Sequence, residues 1–141
     1  MKTIRKSTKG QVLVLIVVVI VILLALAGLA IDIGMAYGVK TKLNAAVDAA
    51  AIAAGRATNQ GATVMGTQAT NFFNANYPTG LLGSTVSAPT TNAVHNSDGS
   101  WTITVSARAS VPTYFARVVG WRNFSVNASA TSTVRTLYLI L

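Results

Sequence analysis

Twenty consecutive residues, Val12 to Ile31, carry no charge and no polar side chain. That run limits the chain more than any other feature. As a helix rising about 1.5 Å per residue it covers about 30 Å, the thickness of a bilayer's hydrocarbon core. Four of the eleven basic residues, Lys2, Arg5, Lys6 and Lys9, stand directly before it. Basic flanks stay on the cytoplasmic side, so residues 1–11 read as a cytoplasmic segment and 12–31 as a transmembrane helix in a cytoplasmic membrane. Overall composition agrees: 52% of residues are hydrophobic and 10% charged, against roughly 25% charged in an ordinary soluble domain. The net charge of +8 does not describe a nucleic-acid surface. The seven basic residues beyond the run are scattered and not interleaved with aromatics.

Three treatments of the N-terminus are open. The run can be an uncleaved anchor. It can follow a prepilin leader cut after Gly10, leaving Gln11 first; such leaders are usually followed by Glu at the fifth position, which here is Leu15. It can be a cleaved signal peptide, with Ala25-Leu26-Ala27 as the small-x-small site and Gly28 following, although the apolar sequence runs on past that point. There is no cysteine, hence no disulfide and no thiolate chemistry.

Beyond the run, residues 32–57 contain no proline and are rich in alanine, the best helix former, so the helix is expected to continue outside the membrane. Gly34 and Gly38 weaken it locally and allow a kink there. Ala30, Gly34 and Gly38 recur every four residues and share one face, where small side chains let a second helix approach closely. Residues 58–141 read as a small extracytoplasmic domain. Ala62–Ala75 predicts a second helix with Val64, Met65, Ala69, Phe72 and Phe73 inward, ended by Tyr77-Pro78. The period then changes to two. Trp101 to Val111 and Phe124 to Ala130 alternate apolar with polar, as half-buried strands do. Asn96-Ser97-Asp98-Gly99 is a turn that pairs the first of these with a weaker strand near Val86–Val94. Thr113–Gly120 reads as a helical turn with Tyr114, Phe115 and Val118 inward. The expected fold is α+β and pilin-like: a long N-terminal helix, a short second one and a small antiparallel sheet. The apolar end, Leu137–Leu141, is too short to span a membrane.

Catalysis finds little support. Asp32, Asp48 and Asp98 are the only acids and His95 the only histidine. Asp98 belongs to a turn, Asp48 to a solvated helix face, and His95 has no neighbouring ligands for a metal. No phosphate-cradling loop is present, and no cofactor is implied. Asp32 is the most informative acid. It stands at the exit of the apolar run, either as an interfacial residue ending the span or as a pairing partner for a basic residue on another helix. Asn123-Phe124-Ser125 and Asn127-Ala128-Ser129 match the N-glycosylation pattern, which arises easily by chance in such sequence.

Several segments together resemble the TadE/TadG-like proteins of the tight-adherence (Tad, or Flp) pilus assembly system, especially the TadG N-terminal region. These are Lys9-Gly10-Gln11 leading into the aliphatic run, Gly28 to Gly34 at the helix exit, and Leu43 to Ala51 with its Asn-Ala-Ala-x-Asp-Ala-Ala-Ala pattern. Val111 to Phe115, with Gly120 and the strand Ser125 to Thr131, adds to them. The resemblance implies a non-enzymatic, pilin-like component of an envelope machine in the bacterial inner membrane. Its implied partners are the lipid bilayer, other pilus-assembly or pilin-like subunits through the N-terminal helix, and a further copy of itself. Leu15 in place of Glu fits the TadG branch better than the TadE branch. Longer TadG members continue into a large C-terminal domain, where this sequence ends at Leu141.

Overall fold

Alanine-rich, proline-free sequence propagates one helix without interruption. In the computed structural model, which describes residues 9–135, α1 runs Lys9–Arg56. At 48 residues it is about 70 Å long. It stays helical through Gly34 and Gly38, so the helix cost of those glycines breaks nothing. Two environments divide it. From Gly10 to Ala27 every residue is exposed. From Gly28 onward one stripe turns inward: Gly28, Asp32, Met35, Val39, Leu43, Ala46, Ala50 and Ala54 are buried or part-buried, and Ala57 just past the helix end continues it. Their steps of three and four follow the helical period of 3.6.

A second helix, α2 (Ala62–Asn76), lies along the distal half of α1. Met65, Ala69 and Phe73 form its buried stripe. Phe72, expected inward, is largely exposed, because a neighbour of Phe73 lies 100° round the helix from the stripe. Tyr77 closes the helix and extends the stripe. Its ring stacks on Phe73 with centroids 5.8 Å apart, and its hydroxyl meets Ser84 Oγ at 2.6 Å, both residues buried.

The sheet is antiparallel and centred on β3 (Ser100–Pro112). β4 (Asn123–Arg135) pairs with it along its whole length, from Ser100↔Arg135 to Pro112↔Asn123. The other edge is shared by β1 (Thr85–Val86) and β2 (Thr90–His95). The single strand expected near Val86–Val94 is thus two, interrupted around Pro89, which has no N–H to give the ladder. Ser87 keeps the interruption tied down by donating its N–H to Arg108 O at 2.9 Å. Alternation sorts the faces. Val105↔Ala130, Ala107↔Ala128, Ala109↔Val126 and Val111↔Phe124 face the helices. Thr102↔Thr133, Thr104↔Thr131 and Ser106↔Ser129 make the opposite, polar face. Helices on one face of an antiparallel sheet give two layers around one core. Small residues on the inner face let α1 approach closely. A Cβ on Gly55 would lie 3.0 Å from both Ser132 Oγ and Val134 Cγ2.

The architecture is the α+β arrangement that the sequence predicts. One local expectation fails. Tyr114, Phe115 and Val118 do not join the core: they are 60%, 48% and 89% exposed, and only the Phe115 ring leans back against α1. The residues that turn in are Thr113 and Ala116. The segment Leu137–Leu141 lies outside the described residues.

Candidate functional site

The β3–β4 connection explains that reversal. Pro112 ends β3, a short 3₁₀ turn spans Ala116–Val119, and Gly120 (φ 95°) reverses the chain in the left-handed region that favours glycine. Thr113 fastens the base of the loop. Its N–H donates to Arg122 O at 3.0 Å and its hydroxyl donates to Trp121 O. With the base closed, the backbone N–H groups of Tyr114, Phe115 and Ala116 all point at α1.

Asp32 receives them. Tyr114 N donates to Oδ1 at 2.9 Å, while Phe115 N and Ala116 N donate to Oδ2 at 3.0 and 2.7 Å. The carboxylate is 1% exposed. Three N–H groups converging on one carboxylate are charge-assisted bonds, stronger than neutral ones. They also satisfy donors that a tight turn leaves unpaired. Among the described residues, the groups that bond to the Asp32 carboxylate are these three backbone N–H donors. Asp32 closes a bracket between residue 32 and a loop more than eighty positions away in sequence. With the loop's backbone turned to the helix, Tyr114 and Val118 are left exposed, while the half-exposed ring of Phe115 reaches back over α1.

One turn below, Gly28 makes the bracket fit. A Cβ there would fall 2.5 Å from Cγ and Cδ1 of Phe115, so the ring lies directly on the helix backbone. The same loop walls a cleft of about 560 Å³ with Leu24, Ala25, Leu26 and Leu29 of α1.

The other sequence-derived positions sit apart from this bracket. Gly10 and Gln11 lie in the first turn of α1, exposed, and a Cβ on Gly10 would meet nothing within 4 Å. Ala30 is exposed, and a Cβ on Gly34 would likewise meet no described atom within 4 Å. Gly38 faces Leu82, whose Cδ1 would be 3.4 Å from an added Cβ. The intramolecular fold thus occupies only the last of the three small-residue positions. Asp48 is exposed; Asp98 sits in the β2–β3 turn; His95 lies against Trp101 with ring centroids 4.7 Å apart. Among the described residues no three His, Cys, Asp or Glu side chains gather as a metal site would need. Neither the Gly28–Phe115 contact nor the cavity that Arg117 and Arg122 line with Gly120 follows from the sequence pattern, where two arginines around Gly120 are the one signal.

The fold is built around one long apolar helix, the only described helix long and apolar enough to cross a membrane. Residues 10–57 match the family described as "Putative Flp pilus-assembly TadE/G-like". The N-terminal region is thus similar to TadE/G-like proteins of Tad/Flp pilus assembly, and the apolar helix accords with membrane association. The match ends at the close of α1 and leaves α2 and the sheet uncovered. No curated protein and no solved structure matches the chain.

Proposed function

We propose that the protein is a membrane-anchored, pilin-like subunit of a Tad/Flp-type pilus assembly or secretion machine. Val12–Ile31 spans the inner membrane once, residues 1–11 stay in the cytoplasm, and the α+β domain stands outside. The observation that carries this reading is the division of α1. A helix exposed and apolar on every side over residues 12–27 needs lipid around it. The same rod then becomes the spine of a folded core without a break. The exposed small face at Ala30 and Gly34 supports close approach of another helix, from a pilin-like subunit or a second copy.

The test combines fractionation with crosslinking. The full chain is expected in the membrane pellet after carbonate extraction, with a cysteine at Asn44 labelled only from outside the cell. Gly34→Cys is expected to crosslink to a neighbouring helix more strongly than Gly38→Cys, which Leu82 covers. Mass spectrometry of the mature N-terminus separates the alternatives. A start at Gln11 identifies a processed filament subunit. A soluble protein starting near Gly28 would overturn the anchor.

A further inference from the structure

A loop pinned to a membrane helix inherits that helix's depth. Gly28, which Phe115 covers, lies three residues before the end of the Val12–Ile31 run, and Leu24 one further turn inside. At 1.5 Å per residue the loop tip therefore stands about 5–10 Å below the point where the span ends. That is the depth at which interfacial segments bury their apolar faces. The side chains fit the location. Tyr114, Phe115, Val118, Val119 and Trp121 are all exposed within eight residues, a density that a water-facing loop rarely carries. Tyr and Trp are the residues that settle at the headgroup level.

The loop also has a polar side. Arg117, Gly120 and Arg122 line a separate cavity of about 390 Å³. Asp32, which bonds the same loop at residues 114–116, has its carboxylate already held by three N–H groups. The cleft between the loop and Leu24–Leu29 is lined almost wholly by apolar residues and is continuous with the lipid-facing surface of α1.

We propose that the β3–β4 loop is inserted in the outer leaflet and holds one anionic phospholipid: an acyl chain in the cleft between Leu24–Leu29 and Val118–Val119, the phosphate between Arg117 and Arg122. The proposal rests on the reading of Val12–Ile31 as a span. Continuity with the span and the pair of arginines both favour lipid over a protein partner for this surface.

The experiment places the full chain in nanodiscs of zwitterionic lipid, with and without phosphatidylglycerol. Trp101→Phe leaves Trp121 as the only tryptophan. Its fluorescence is expected to be quenched by lipid brominated near the headgroup and less by lipid brominated at the chain end. Phosphatidylglycerol is expected to remain bound in native mass spectrometry. Arg117→Gln and Arg122→Gln should each lower the preference for it about fivefold, and inorganic phosphate should not displace it. A control carries Val21→Trp with Trp101→Phe and Trp121→Phe. If Val21→Trp is quenched deep in the bilayer and Trp121 is not quenched, the loop proposal fails while the span stands. If Val21→Trp is not quenched either, the span itself is wrong. Trp121 shielded by a crosslinkable second copy rather than by lipid overturns the proposal. So does displacement of the lipid by free phosphate, which would make the arginines a simple anion site.

Discussion

Asp32 bears a larger share of the tertiary structure than any other polar side chain in α1. Replacing it by Asn exchanges one acceptor oxygen for an amide donor and sets that donor against an N–H of the loop. The expected cost is about 2–3 kcal/mol, the worth of hydrogen bonds to a charged group. It should be read as a lower denaturant midpoint in detergent and as new protease cleavage between Thr113 and Arg122. Asp98 makes a different prediction. Its carboxyl is held down to about 2, first by the Ser100 hydroxyl, then by the Ser100 N–H and Arg135, with partial desolvation opposing them. A depressed folded value means that the contribution is complete above the unfolded value of about 4 and is lost as pH falls from there through 2. Asp98→Asn is therefore expected to flatten the fall of thermal stability across that window, followed by circular dichroism. Neither role was equally legible beforehand. The turn at Asp98 is written in Asn-Ser-Asp-Gly. The partners of Asp32 are backbone N–H groups, which every residue has, so no side-chain pattern announces them.

At the scale of elements, α1 and β4 meet where Gly55 leaves no room. Gly55→Ala gains about 1 kcal/mol of helix propensity but pushes a methyl to 3.0 Å from Ser132 and Val134. Gly55→Val gains less propensity than Gly55→Ala and adds more bulk. Wild type and Gly55→Ala are expected to melt at similar temperatures, and Gly55→Val to melt lower, destabilised by about 1–3 kcal/mol through overpacking. The helices and the two long strands could be seen in the sequence because their periods, 3.6 and 2, are carried by many residues at once. The β3–β4 loop could not be oriented that way. Tyr114, Phe115 and Val118 are apolar, and apolar side chains are buried equally well in protein or in lipid. Composition states the need for burial without naming the solvent. The break at Pro89 was visible as a residue, but its consequence depends on which edge of β3 it meets.

For the whole molecule, the two environments of α1 separate insertion from folding. Val17→Lys with Val21→Lys places two charges mid-span, each costing about 2.5–3.5 kcal/mol of insertion free energy. Neither residue touches the core. Part of the protein is expected to leave the membrane pellet, while the fragment after Asp32 stays as protease-resistant as before. Loss of that resistance would show that the domain depends on the bilayer for more than attachment.

The unbroken α1 has a mechanical consequence. Most anchored domains hang from a tether and swivel; this one is welded to its mast. No hinge separates the span from the core, and the Asp32 bracket stops the sheet from turning about the rod. A twist applied to the apolar half is therefore delivered as the same twist of the polar sheet face. On the proposed reading of Val12–Ile31 as a span, whatever grips the helix there sets the compass bearing of the domain, and spin labels at Val14 and Ser106 would record both rotations as one.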